Sequence, residues 1–177
     1  MNKSSSKIRK TPRTIASVEE TAEFLKERIY ATITLLALLA TLWHGADHFT
    51  AKGAIVSVLG TVVALWLAIG IASRMSYQVV HGKRMSTKAY TEILRHHSAL
   101  LIPAFPVVVL ILISLTGLFS LKTALLASLI TLLLSFVGFS LLAGRRMRSS
   151  WTEIAITSGF EIALGLGVIA LKIYAGH

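Results

Sequence analysis

Apolar residues along this chain come in long unbroken runs rather than in stripes. The longest covers 98–144, and its only charge is Lys122. At about 1.5 Å of rise per helical residue, each half of that run is longer than the ~30 Å hydrocarbon core of a bilayer. A soluble core has no use for two such lengths in succession. The pattern predicts a helical hairpin that crosses a membrane twice, with its tip between Thr116-Gly117 and Lys122 and the other segments assembled around it.

Three further runs complete the expected set. Residues 29–43 are apolar or Thr, which is short for a crossing. The run becomes adequate, as 25–43, if Phe24 and Leu25 contribute and Arg28 snorkels towards the headgroups. Trp43 then stands at the interface. The second span is 53–73, where Gly60 and Gly70 would permit close helix approach. Its helix can run on past the membrane surface until Gly82-Lys83-Arg84 breaks it. Ser86 or Thr87 would cap a short amphipathic helix over 88–97. The third and fourth spans, 98–120 and 123–144, are the hairpin, and Pro103 and Pro106 predict a bend at its entry. Ser149 or Ser150 would cap the fifth span, 151–174. Fold class is therefore all-α: a polytopic bundle of five transmembrane helices.

The first residues read differently. Residues 1–17 are rich in Ser, Lys and Arg, lack hydrophobic periodicity, and predict a disordered basic tail ahead of a five-helix domain over 18–177. Ser17 is a candidate N-cap, followed by a polar helical lead-in over 18–28. Within it Glu19–Glu23 and Glu23–Glu27 are like-charge i,i+4 pairs, unfavourable unless a cation sits beside them. No cleavable signal peptide is expected, because no clean small-residue cleavage site follows the basic start.

Composition supports a membrane setting. Of 177 residues, 54% are hydrophobic and 15% charged, which excludes an ordinary soluble domain. Cysteine is absent, removing disulfides and thiolate metal sites. A net charge of +10 raises the question of nucleic acid. The basic residues lie at the ends of the apolar runs, next to anionic headgroups, so the lipid bilayer is the expected partner and nucleic acid is not. Before span 1, between spans 2 and 3, and between spans 4 and 5 lie fifteen of the 18 Lys and Arg residues; the other side has only Lys52, Lys122 and Lys172. By the positive-inside rule the N-terminus is cytoplasmic and the C-terminus outside. The expected location is a bacterial plasma membrane.

Few residues suggest chemistry. Glu161 lies roughly 15 Å along span 5 on helical rise. An intramembrane carboxylate faces a pathway, a cavity or a partner helix, so Glu161 with Thr157 one turn away is either an ion or proton site or a packed, hydrogen-bonded pair. His44, Asp47 and His48 stand at i, i+3, i+4; they could hold a divalent metal if the helix continues, or form a polar turn. His96 and His97 point apart on a helix and read as interfacial residues. Ala155, Gly159, Ala163 and Gly167 form a small-xxx-small stripe for helix packing, within the chain or in a homo-oligomer. No phosphate loop, dinucleotide-binding pattern or nucleophile elbow occurs, and no cofactor and no enzymatic activity are expected.

Several segments carry a resemblance. Glu27-Arg28-Ile29-Tyr30-Ala31-Thr32, Trp66-Leu67-Ala68, Arg95-His96 with Pro103, and Gly165-Leu166 through Leu171-Lys172 resemble a group of small five-span integral membrane proteins of actinobacteria, of unassigned function. That resemblance implies a non-enzymatic scaffold or a subunit of a larger membrane complex. The five spans, and residues 145–148 leading to a Gly-rich last helix, are also similar to the vacuolar iron transporter family. That likeness implies a cation or proton-coupled transporter using Glu161. The family's acidic segment between spans 2 and 3 is represented here by Glu92 alone, and span 1 has no carboxylate, so no metal ligands carry over.

Overall fold

The computed structural model describes residues 12–147 and 150–175, with side chains at 26–145 and 150–175. All regular structure among them is helical. In chain order come α1 (Pro12–His44), a 3-10 turn (Ala46–His48), α2 (Ala51–His81), α3 (Thr87–His96), a second 3-10 turn (His97–Leu101), α4 (Ala104–Ser114), α5 (Leu121–Met147) and α6 (Trp151–Ala175). Residues 1–11 of the expected tail lie outside the described residues, as do Arg148, Ser149, Gly176 and His177. Residues 12–17 belong to the opening turns of α1, so Ser17 stands inside a helix rather than at its cap.

Local chemistry explains most helix ends. Thr50 accepts a hydrogen bond from the Gly53 amide and starts α2 at Ala51, two residues before the apolar run. At the other end Gly82, φ 62°, supplies the left-handed residue that stops α2. Ser86 accepts from the Ala89 amide and starts α3. Ser150 accepts from the Glu153 amide at 3.2 Å while the Glu153 carboxylate accepts from the Ser150 amide at 3.0 Å, a reciprocal capping box that opens α6. Gly117, φ 81°, sits in the hairpin tip between α4 and α5.

The third expected span, 98–120, is not one helix. The stretch 87–101 and α4 meet at an angle of 51°. Pro103 has no N–H to continue the ladder, and its ring crowds the carbonyl one turn back, so the chain tightens into a 3-10 turn before α4 begins. α4 alone is 11 residues, about 16 Å, roughly half a bilayer.

The largest difference concerns α1. It is not among the three helices long and apolar enough to cross a membrane, namely α2, α5 and α6; the bent α3–α4 pair makes a fourth if taken as one span. Yet α1 lies in the core of the bundle. Ala31, Leu35, Leu36, Leu39 and Ala40 are fully buried, and α1 packs on α2, α5, α6 and the 3-10 turn before α4. It shares that position with α5 of the hairpin, whose Leu125, Leu132 and Phe136 are buried and which packs on α1, α4 and α6. The physical reason for the difference is a short apolar run: only 29–43 is continuously apolar or Thr, and Glu27 and Arg28 precede it, while neighbouring helices cover its Leu35, Leu36 and Leu39. The outer helices show the complement. Only 17% of the most apolar window of α6 and 22% of that of α2 is buried, so large apolar side chains such as Val56, Ile156 and Phe160 point outward. Water penalises that arrangement and lipid favours it.

The two ends of the bundle differ. At one end the α1–α2 and α4–α5 connections meet, with the Lys122 ammonium 5.8 Å from the Trp43 ring centroid. At the other end lie the last turns of α2, all of α3, the last turns of α5 and the start of α6, together with Arg74, Lys83, Arg84, Lys88, Arg95 and Arg145.

Candidate functional site

The basic end holds a polar centre that sequence reasoning missed. Glu27 on α1 is buried, 5% exposed, and its carboxylate accepts from Nδ1 of His97. Nε2 of the same imidazole lies 3.5 Å from the Ser73 hydroxyl on α2, a long contact. With the proton on Nδ1, Nε2 is left as an acceptor for Ser73. Three segments, α1, α2 and the 3-10 turn at His97, are thereby tied through one ring. Nearby, Trp66 of α2 donates its indole N–H to the Leu94 carbonyl at 2.9 Å. Gly70 lets Leu94 and Tyr90 of α3 press against α2: a Cβ there would stand 2.5 Å from Leu94 Cδ2. Gly60 meets nothing and plays no such part.

The order carboxylate–imidazole–hydroxyl is that of acid–base relays. It lacks the remaining parts of a nucleophilic site, since Ser73 lies within α2 and its backbone N–H is committed to the helix instead of facing an oxyanion. Glu27 also lines a cleft of about 350 Å3 with Lys26, Tyr30 and Thr34, so the carboxylate end of the relay adjoins open space. One sequence signal pointed here. The like-charge glutamates of the lead-in called for a counter-group, and for the last of them, Glu27, the imidazole of His97 is a hydrogen-bond partner from 70 positions away.

Glu161 occupies the interface of α5 and α6, half-buried. The Ser140 hydroxyl, itself 4% exposed, donates to its Oε2 at 2.6 Å. Thr157 does not join them: it is exposed, and its hydroxyl donates to the Glu153 carbonyl at 2.9 Å. Ser158, one turn before Glu161 on the buried face, has no partner for its Oγ among the described residues. Farther along α1, Arg28 lies over the Phe139 ring, 4.9 Å from its centroid.

The other candidates are not brought together. α1 ends at His44, Gly45 breaks the helix, and Asp47 and His48 sit in the 3-10 turn with exposed side chains. Their i,i+3,i+4 register therefore does not form one helical face. Among the described residues no group of three or more His, Asp or Glu is placed to hold a metal ion. His96 is exposed, whereas its neighbour His97 turns inward to Glu27. Ala155, Gly159, Ala163 and Gly167 all face outward, and a Cβ on Gly159 or Gly167 would meet nothing. The face that packs is the one bearing Ile154, Ser158 and Gly165, where a Cβ on Gly165 would stand 2.6 Å from Leu133 and 3.2 Å from Phe136. The stripe is thus not used for packing among the described residues.

Comparison with known proteins adds no relative: no family, no curated protein and no solved structure matches this chain.

Proposed function

We propose that this chain is a non-enzymatic integral membrane protein that threads a bacterial plasma membrane five times, N-terminus in the cytoplasm, and acts as a small helical scaffold or partner subunit. α2, α5 and α6 are three of the spans, the bent α3–α4 pair is the fourth, and α1, packed against α2, α5 and α6, is the fifth. Support for the threading comes from the meeting of the α1–α2 connection with the start of α5 at the end away from the basic segments.

The observation that carries the scaffold reading is the closure of Glu161 onto Ser140 at 2.6 Å between two helices. Thr157, one turn from Glu161 on α6, is exposed and donates its hydroxyl to the Glu153 carbonyl of its own helix, and Thr32 and Thr61 likewise donate within α1 and α2. A carboxylate used this way fixes the α5–α6 contact. Reconstitution in proteoliposomes tests it. The expected result is no flux of protons, Na⁺, K⁺, Fe²⁺ or Mn²⁺ above that of empty vesicles, for the natural chain and for Glu161→Gln alike. A flux present in the natural chain and lost in Glu161→Gln would overturn it.

A second reading, proton-coupled transport, is favoured by a different place, the relay of Glu27, His97 and Ser73 beside its cleft. It predicts a proton flux that survives Glu161→Gln and is abolished by His97→Gln.

A further inference from the structure

The contact between α5 and α6 is tightest at two places. Ile154 presses on Gly144 with no room for a Cβ, and Gly165 admits Leu133 and Phe136. Between them Ser140 meets Glu161. These pairs set an antiparallel register. It brings Ser158, four residues after Ile154 and three before Glu161, to the level of Ser140. Ser158 is 7% exposed, and its Oγ has no partner among the described residues. Other helical hydroxyls escape that state by donating to a carbonyl of their own helix, as Ser128, Thr131 and Thr157 do. A buried hydroxyl left unanswered is destabilising. Over 136–144 of α5 and 154–165 of α6, Glu161 is the only charged residue. Among the described residues it forms no ion pair. Arg28 lies on another side of α5, over the Phe139 ring in the groove towards α4.

We infer that Ser140, Ser158 and Glu161 bind one small monovalent cation of the Na⁺ class, a fixed pin between α5 and α6. The inference rests on the scaffold reading above, in which Glu161 joins these two helices. The site makes two demands: a charge to be balanced in a lipid setting and a hydroxyl oxygen to be satisfied. A proton on Glu161 meets the first and leaves Ser158 unanswered. A water beside Ser158 meets the second and leaves the charge. A cation among the three side chains meets both. Ser140 points its proton at Glu161 and keeps its lone pairs for the ion, and Ser158 offers lone pairs of its own. Charge selects a monovalent ion, because a divalent one against a single carboxylate leaves a positive charge behind. Space selects a small one, since the two helices are drawn together at Gly144 and Gly165 on either side. The same two contacts shut the site along the helix axis, so the ion is held and not passed on. Glu161 is half-buried, which leaves a lateral opening for exchange.

Equilibrium binding of radiolabelled Na⁺ to the full chain in detergent, with choline chloride holding the ionic strength constant, tests the site. The expected result is a single saturable Na⁺ per chain, with K⁺ about tenfold weaker as a competitor. Ser158→Ala should weaken binding about tenfold, and Glu161→Gln should abolish it. Thermal unfolding supplies a second readout. Replacing choline by saturating Na⁺ should raise the midpoint of the natural chain by about 5 °C and leave that of Glu161→Gln unchanged. No saturable binding to the natural chain would overturn the inference, as would K⁺ competing as well as Na⁺. Binding undiminished in Ser158→Ala, or retained in Glu161→Gln, would also overturn it, by marking an adventitious ion only. If Glu161→Gln does not fold, Ser158→Ala and the K⁺ competition still decide. Proteoliposome flux separates the site from the scaffold reading. Binding without flux upholds both. Binding with a Na⁺ flux that Glu161→Gln abolishes keeps the site and sinks the scaffold, and neither binding nor flux sinks the site alone.

Discussion

A carboxylate placed among helices is expensive unless something answers it, and Glu27 is answered by a single imidazole. Removing only one partner is therefore far worse than removing both. His97→Ala should lower stability by about 3–5 kcal/mol, because the buried Glu27 carboxylate loses its ring donor. Glu27→Gln combined with His97→Ala should recover at least about 1 kcal/mol of that loss. Unfolding of the detergent-solubilised chain, followed by circular dichroism, measures both. Additive losses in the double variant would mean that the two side chains are not coupled. This contact could not be read from sequence. His97 sits beside His96, and nothing in that local pattern says which ring turns inward; the choice is made by where the bend before α4 directs the chain.

At the scale of single helices, breaks and caps were readable and faces were not. Gly82, Ser86, Pro103, Gly117 and Ser150 mark helix ends or bends by chemistry confined to a few neighbouring residues. Which side of α6 turns inward is a different kind of question. In a soluble helix the apolar stripe points to the core. In α6 both sides are apolar, since lipid and protein interior are nearly equivalent surroundings, and the more regular run of small residues lies on the outer one. The packing side is instead marked by contact at Gly165. Gly165→Ala should cost about 1–3 kcal/mol, because Leu133, Phe136 and Leu36 must all give way. Gly159→Ala and Gly167→Ala should be neutral or slightly stabilising, having open space to enter and a better helix former to offer. The same unfolding measurement ranks the three, and a loss at Gly167 as large as that at Gly165 would reverse the assignment of faces.

For the whole molecule, long apolar runs sufficed to predict an all-helical chain, but run length did not tell that the short α1 is packed as deeply as α5 of the hairpin. The continuous apolar run of α1 is only 29–43, with Glu27 and Arg28 before it, yet α2, α5 and α6 pack around it. The direction of threading remains a proposal with a simple test, because the chain has no cysteine to confuse a label. A single cysteine replacing Asp47 should react with an impermeant maleimide on intact cells. One replacing Lys88 should react only after the cells are opened. The reverse pattern would invert the protein.

The burial of α1 has a consequence for synthesis. It leaves the ribosome before every helix that covers it, and two of those, α5 and α6, are the last to follow. Through most of translation its Leu35–Leu39–Leu42 ridge has no permanent neighbour, and its modest apolarity gives little reason to stay in lipid unaided. Nascent chains arrested before α6 should therefore remain crosslinked to the insertion machinery through α1, with release following once Gly165 can reach Leu36. Folding of this bundle waits on its final helix.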